Sequence, residues 1–214
     1  LVAAWAFGVP PATTGSDPTE TVSGYSFAEA RRTRIFWMFC AIQFLFLPSL
    51  ATIPLHIVVH GMDLGMTATV AAALVSTMAL ASVLARLAVG SFFDRVGGKG
   101  ALILCLVPLL ASLLALLVVN TPKSLFAVIV VYGFAHGGLF TVMSPVVAEY
   151  FGLKAHGALF GSIIFFGAIS GSVTPVLAGY IFDTTGSYSM AFNFLIAMAS
   201  SGLILTLVLP KRRA

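Results

Sequence analysis

Gly90-Ser91-Phe92-Phe93-Asp94-Arg95-Val96-Gly97-Gly98-Lys99 is a charged island joining two long apolar runs, residues 67–93 and 101–119. Glycines at both ends and three charges within ten residues make a tight polar turn. A helix crosses the bilayer's hydrocarbon core in about 20 residues, so each flanking run is long enough to span it. The decapeptide therefore reads as a loop between two membrane helices. One helical turn before it stands Arg86, a charge set deep within an apolar run. An arginine near the centre of a span costs about 2.5–3.5 kcal/mol on insertion scales, so its presence there points to function.

Composition carries the same message outward. Apolar residues make up 59% of the 214 and charged residues only 8%, with a mean hydropathy of +1.07. So little charge excludes a soluble domain of this size. Six apolar runs are long enough to span: 35–59, 67–93, 101–119, 125–147, 159–182 and 191–209. The predicted fold is an all-α polytopic membrane protein with six transmembrane helices. If the six alternate direction, Arg31, Arg32, Arg34, Arg95, Lys99, Lys154, Lys211, Arg212 and Arg213 fall on one side and only Lys123 on the other. By the positive-inside rule both ends of the chain lie in the cytoplasm. The net charge of +4 thus reflects topology and implies no nucleic-acid partner.

Four regions are expected. Residues 1–25 read as the end of a preceding helix, closed by Pro10-Pro11, plus a flexible cytoplasmic linker. Residues 26–34 form a juxtamembrane helix opened by Ser26-x-x-Glu29, a capping box. Residues 35–209 are the six-helix membrane domain, and 210–214 a basic cytoplasmic tail. The chain is expected to be a fragment or half-protein, the alternative being an ordinary tail on a complete six-span protein.

Small residues punctuate the spans. Gly133-x-x-x-Gly137, Gly157-x-x-x-Gly161 and Gly167-x-x-x-Gly171 permit close helix approach. The third span, nearly pure Leu, Val and Ala, is expected to face lipid. Gly90-x-x-x-Asp94-x-x-Gly97 recurs as Gly179-x-x-x-Asp183-x-x-Gly186. The copies end the second and fifth spans, on opposite sides of the membrane, as two inverted three-helix repeats would place them.

Arg86 lies eight residues before Asp94, about 12 Å deeper along a helix, too far to snorkel comfortably. Ser76, Ala79, Ser82, Arg86 and Gly90 recur at helical steps, a small and partly polar stripe suited to a cavity. A fixed guanidinium without a carboxylate neighbour calls for an anion, and a carboxylate fits its planar fork. His56, on a stripe with Ser49, Thr52 and His60, is a candidate for proton exchange. Tyr132 and His136, with Phe134 and Phe140 beside them, are further candidates for lining a binding site. Arg95 is expected to pair with Glu149, and Asp94 to face the start of the fifth helix, closing a cytoplasmic gate. No metal site or cofactor is indicated, and Cys40 and Cys105 read as packing residues.

The loop G-x-x-x-D-R-x-G-x-K resembles the cytoplasmic signature of the major facilitator superfamily. Residues 27–37, His56-Ile57, Asp63-Leu64-Gly65, the segment from Arg86 to Lys99 and the segment from Gly179 to Tyr188 resemble, more narrowly, the oxalate/formate antiporter and monocarboxylate transporter group. The resemblance implies one half of a major facilitator fold, completed by an N-terminal six-helix half. It also implies a plasma-membrane (cell inner membrane) location and a substrate-carboxylate role for Arg86. Animal monocarboxylate carriers have an aspartate where this chain has Ser82. The oxalate exchanger has a lysine in the eleventh helix of the full fold, which the fifth span lacks, so a monocarboxylate is favoured. The expected function is secondary transport of small monocarboxylate anions by proton symport or anion exchange. The alternatives are a transporter-like membrane receptor or, more weakly, an intramembrane hydrolase; no catalytic residues are identified.

Overall fold

A computed structural model describes residues 23–210. Its helices are α1 (Phe27–Ala30), α2 (Arg34–Asp63), α3 (Ala68–Leu116), α4 (Pro122–Phe151), α5 (His156–Thr185) and α6 (Ser189–Val208). Five of them, α2 to α6, are long and apolar enough to cross a membrane. The 49-residue α3 counts twice, because its backbone leaves helical geometry at Gly97 (φ 70°, ψ 167°). That combination is open essentially to glycine alone. It divides α3 into limbs 68–96 and 98–116, so the described residues hold the six expected crossings.

Local chemistry sets the boundaries. Thr33, Thr67 and Thr121 each N-cap a long helix, the side-chain oxygen accepting from a backbone N–H three residues on. Gly152 (φ 77°) and Gly186 (φ 67°) end α4 and α5. Asp94-x-x-Gly97 and Asp183-x-x-Gly186 thus both stop a helix on a positive-φ glycine. They do so at opposite ends of the bundle, which makes the sequence echo a structural one. The juxtamembrane helix expected over 26–34 is a single turn, α1, followed by a turn before α2 begins at Arg34. Its capping box is present: Ser26 N–H donates to Glu29 Oε2 at 2.8 Å, and Glu29 N–H to Ser26 Oγ at 3.3 Å.

The main contacts pair α3 with α4 and α2 with α5. The first helix of each triplet thereby packs on the second of the other, as inverted repeats require. Lipid tails are as apolar as leucine, so these contacts depend on close approach rather than on exclusion of water. Gly133 and Gly137 supply it for α3–α4. A methyl group at Gly133 would lie 2.7 Å from the Met78 carbonyl oxygen, and one at Gly137 would strike that of Ser82. Gly167 and Gly171 sit against Gln43 and Leu47 of α2 in the same way. Gly157 and Gly161 have open space beside them instead. The third span is not simply lipid-facing: Leu102, Cys105, Leu106, Leu109 and Leu113 are buried, while Leu104, Val107 and Leu114 face outward.

Candidate functional site

The α3–α4 seam positions the residues of interest. Because Gly137 brings α4 onto the Ser82 backbone, Ser82 Oγ lies 3.4 Å from His136 Nδ1, a long hydrogen bond. Arg86, one turn beyond Ser82, is exposed on the surface of the six-helix unit, and its charge acts on His136. Ser76, Ala79 and Gly90 of the same stripe are exposed too, and only Ser82 is buried. The stripe forms an open face of small residues rather than a sealed interior. Phe140, half exposed, lies with its ring 5.0 Å from that of His136 and completes this face.

Two of the expected lining residues pack into the core. Tyr132 is fully buried and its hydroxyl donates to the Ser49 carbonyl at 3.0 Å, a tie between α4 and α2. Phe134 is partly buried against the core. Two residues along a helix is about 200° of rotation, which turns it away from His136. The residue on the right face is Phe140, four positions on, as the period of α4 dictates.

His56 also differs from expectation, because both its ring nitrogens are engaged. Nε2 lies 3.1 Å from the Pro175 carbonyl oxygen and Nδ1 3.1 Å from the Tyr188 hydroxyl. A carbonyl only accepts, so Nε2 carries the proton. Burial, with the charges of Asp63 and Asp183, pushes the Tyr188 phenol above its usual range, which keeps it a donor to Nδ1. His56 is therefore a clasp between α2, α5 and the turn preceding α6. Tyr188 stacks on Phe182 at 4.4 Å. Beside it a cavity of about 390 Å³ opens among His60, Asp63, Ser187, Tyr188, Ser189 and Phe192. Sequence reading missed Tyr188 because its partner lies 132 residues away.

The loop motif gathers at the opposite end. Glu149 does not pair with Arg95; its Oε2 accepts from the Gly98 backbone N–H at 2.7 Å. The limb 98–116 begins there, and a carboxylate suits the free N–H groups and positive dipole of a helix N-terminus. Arg95 and Asp94 are exposed and form no ion pair or hydrogen bond among the described residues. Lys99 Nζ donates to the carbonyls of Leu207 and Leu209, both at 2.7 Å, capping the C-terminus of α6. The Tyr150 hydroxyl donates to the Pro210 carbonyl at 2.7 Å. Tyr25 N–H donates to the Phe151 carbonyl, and Leu153 N–H to that of Ser23. His156, not singled out from sequence, lies with Nε2 3.0 Å from Ser144 Oγ.

Six apolar crossings in two inverted triplets, with a lone arginine on an open small-residue face, define a polytopic membrane protein of the transporter class. The family model of the Major Facilitator Superfamily matches residues 62–214, and the chain belongs to that superfamily. It is similar to Monocarboxylate transporter 13 of Bos taurus, 33% identical over 156 residues that make up 71% of this chain and 37% of that protein. Similarity to Monocarboxylate transporter 7 of Homo sapiens is 33% over 181 residues, 82% of this chain and 34% of that one. The Sialic acid transporter NanX of Escherichia coli (strain K12) is 27% identical over 149 residues, 68% of this chain and 36% of that protein. The chain thus relates to the monocarboxylate transporter group and spans little more than a third of these relatives' length.

Proposed function

We propose that this chain carries the carboxylate-binding site of a secondary transporter for small monocarboxylate anions, working by proton symport or anion exchange. A second six-helix unit would close the cavity over the open α3–α4 face. The setting is the plasma membrane, with the end bearing Arg95, Lys99 and Lys154 in the cytoplasm.

One observation carries this reading. Arg86 presents an exposed guanidinium on a span, with no ion pair among the described residues; its charge acts on His136, whose ring lies against Phe140. A charge at that depth needs a counter-ion, and an open face offers it to a solute. A small carboxylate satisfies the fork in a bidentate contact, and Phe140 gives its apolar part a surface.

The test is uptake of labelled lactate, pyruvate, formate and oxalate into vesicles holding the full native chain, with and without a pH gradient. Arg86→Ala keeps expression and topology and loses carboxylate binding by more than tenfold, as expected when a hydrogen-bonded charge pair worth about 2–5 kcal/mol loses one member. Arg86→Lys keeps the charge without the fork and weakens binding less. A folded Arg86→Ala protein with unchanged affinity would remove Arg86 from the site.

A further inference from the structure

We infer that His136 is the proton-carrying residue of this site, and that a proton on it and an anion on Arg86 favour one another. The inference rests on the carboxylate reading of Arg86 and adds the coupling group. Three features single out His136. Its Nδ1 is held by Ser82 at 3.4 Å, whereas Nε2 has no hydrogen-bond partner among the described residues. The other histidines of the spans are engaged or remote. His56 is bonded at both nitrogens, His60 lies against Tyr188 and Phe192 at the far end, and His156 bonds Ser144. Finally, Ser82 stands in the helical turn before Arg86, so one element fixes both the cation and the imidazole.

The groups facing His136 are few. From α3 comes Arg86, and from α4 itself Tyr132, whose ring lies 5.9 Å away and whose hydroxyl is committed to Ser49. Among the described residues α2 and α5 bring no charged side chain to it: their acids are the terminal Asp63 and Asp183. Besides its burial, the charge that acts on His136 among the described residues is Arg86, together with whatever binds Arg86.

In the tautomer whose Nδ1–H donates to Ser82, Nε2 keeps a lone pair with no hydrogen-bond partner among the described residues. The empty site holds one positive charge, on Arg86. A second positive charge beside it is disfavoured by repulsion. A bound carboxylate brings the local charge to zero, and Nε2 takes a proton from hydronium entering from the acidic side, forming an N–H bond, leaving neutral water and restoring one positive charge. Release of the acid's anion and the proton on the other side returns the neutral imidazole. Empty and fully loaded sites carry the same charge, so the coupled transfer is electroneutral.

The experiment uses the full native chain in proteoliposomes, with labelled lactate, pyruvate and formate as probes. Two modes are measured: accumulation driven by an inward proton gradient, and exchange at equal pH on both sides. In His136→Gln, gradient-driven accumulation falls at least tenfold, and carboxylate protection against heat and equal-pH exchange lose the dependence on pH that the parent shows. Ser82→Ala keeps the imidazole and moves the pH midpoint of uptake by about half a unit to one unit, the equivalent of one hydrogen bond. His136→Gln accumulating substrate like the parent would overturn the inference, as would a parent protein that binds carboxylates through Arg86 but shows no proton dependence. A midpoint unmoved in Ser82→Ala would overturn the positioning role. Loss of Arg86-dependent binding itself is separate: the parent would then show no protection by any of the three acids.

Discussion

At the residue scale, the structure separates side chains that hold the protein together from those left for a solute. Glu29 illustrates the first kind. The Ser26 hydroxyl, at 2.7 Å from Glu29 Oε2, and then the Ser26 backbone N–H hold its carboxyl below the usual carboxylate range. A depressed carboxyl stabilises the folded cap above its unfolded value, and that contribution disappears as pH falls through the lower folded value. Ser26→Ala should therefore raise the Glu29 midpoint toward the ordinary one, as read by carboxyl-carbon NMR on labelled protein in detergent. Glu149 and Arg95 make a contrasting pair. Glu149→Ala leaves the Gly98 N–H without its charged acceptor and should cost about 1.5–3 kcal/mol. Arg95→Ala, at an exposed position, should stay within about 0.5 kcal/mol. Thermal unfolding in detergent measures both, and equal losses would restore the ion pair that sequence alone suggested.

At the scale of elements, glycines divide into those that permit a seam and those that permit a turn. Gly137→Ala places a methyl group against the Ser82 carbonyl, and the strain should cost about 1–3 kcal/mol and part the α3–α4 seam. Gly97→Ala meets no atom within 4 Å, so its loss, about 1–3 kcal/mol, is conformational alone. Gly161→Ala, with equal room but helical geometry, should be neutral or stabilising by up to about 1 kcal/mol. A ranking by melting temperature that placed Gly161→Ala with the other two would contradict the packing described. These contrasts also show what the sequence made legible. Span lengths, the threonine caps, the decapeptide loop and the Gly133–Gly137 seam all follow from local spacing. Gly157-x-x-x-Gly161 has the same spacing yet faces open space, because spacing says nothing of which helix face meets a neighbour. Glu149 was assigned to Arg95 because a side-chain cation is visible in a sequence, whereas its partner, the backbone N–H of Gly98, carries no letter. Arg86, Ser82 and His136 were each legible, but their meeting depends on which helix the α4 glycines approach.

At the scale of the whole molecule, charge and architecture point the same way. Arg31, Arg32 and Arg34 lead into α2, Arg95 and Lys99 flank the break in α3, and Lys154 lies between α4 and α5. Asp63, Lys123 and Asp183 lie at the other ends of the same helices. Single cysteines at positions 99 and 154 should thus react only with reagent supplied from the cytoplasm, and those at 63, 123 and 183 only from outside. Cys40 and Cys105 are buried and give little background. Labelling of position 99 but not 123 from outside would invert the proposed orientation.

The basic end is also where the hydrogen bonds between helices accumulate. Lys99 binds the end of α6, Glu149 the start of the second α3 limb, Tyr150 the Pro210 carbonyl, and residues 23–25 the α4–α5 turn. The other end has the His56 clasp, but beside it an open cavity of about 390 Å³. The bundle resembles a fan riveted at one edge: its blades spread most readily at the edge away from the rivet. Such an uneven distribution of hydrogen bonds should make a force applied at the Arg86 level turn the clamped edge as a block, with the local bending taken up beside the cavity.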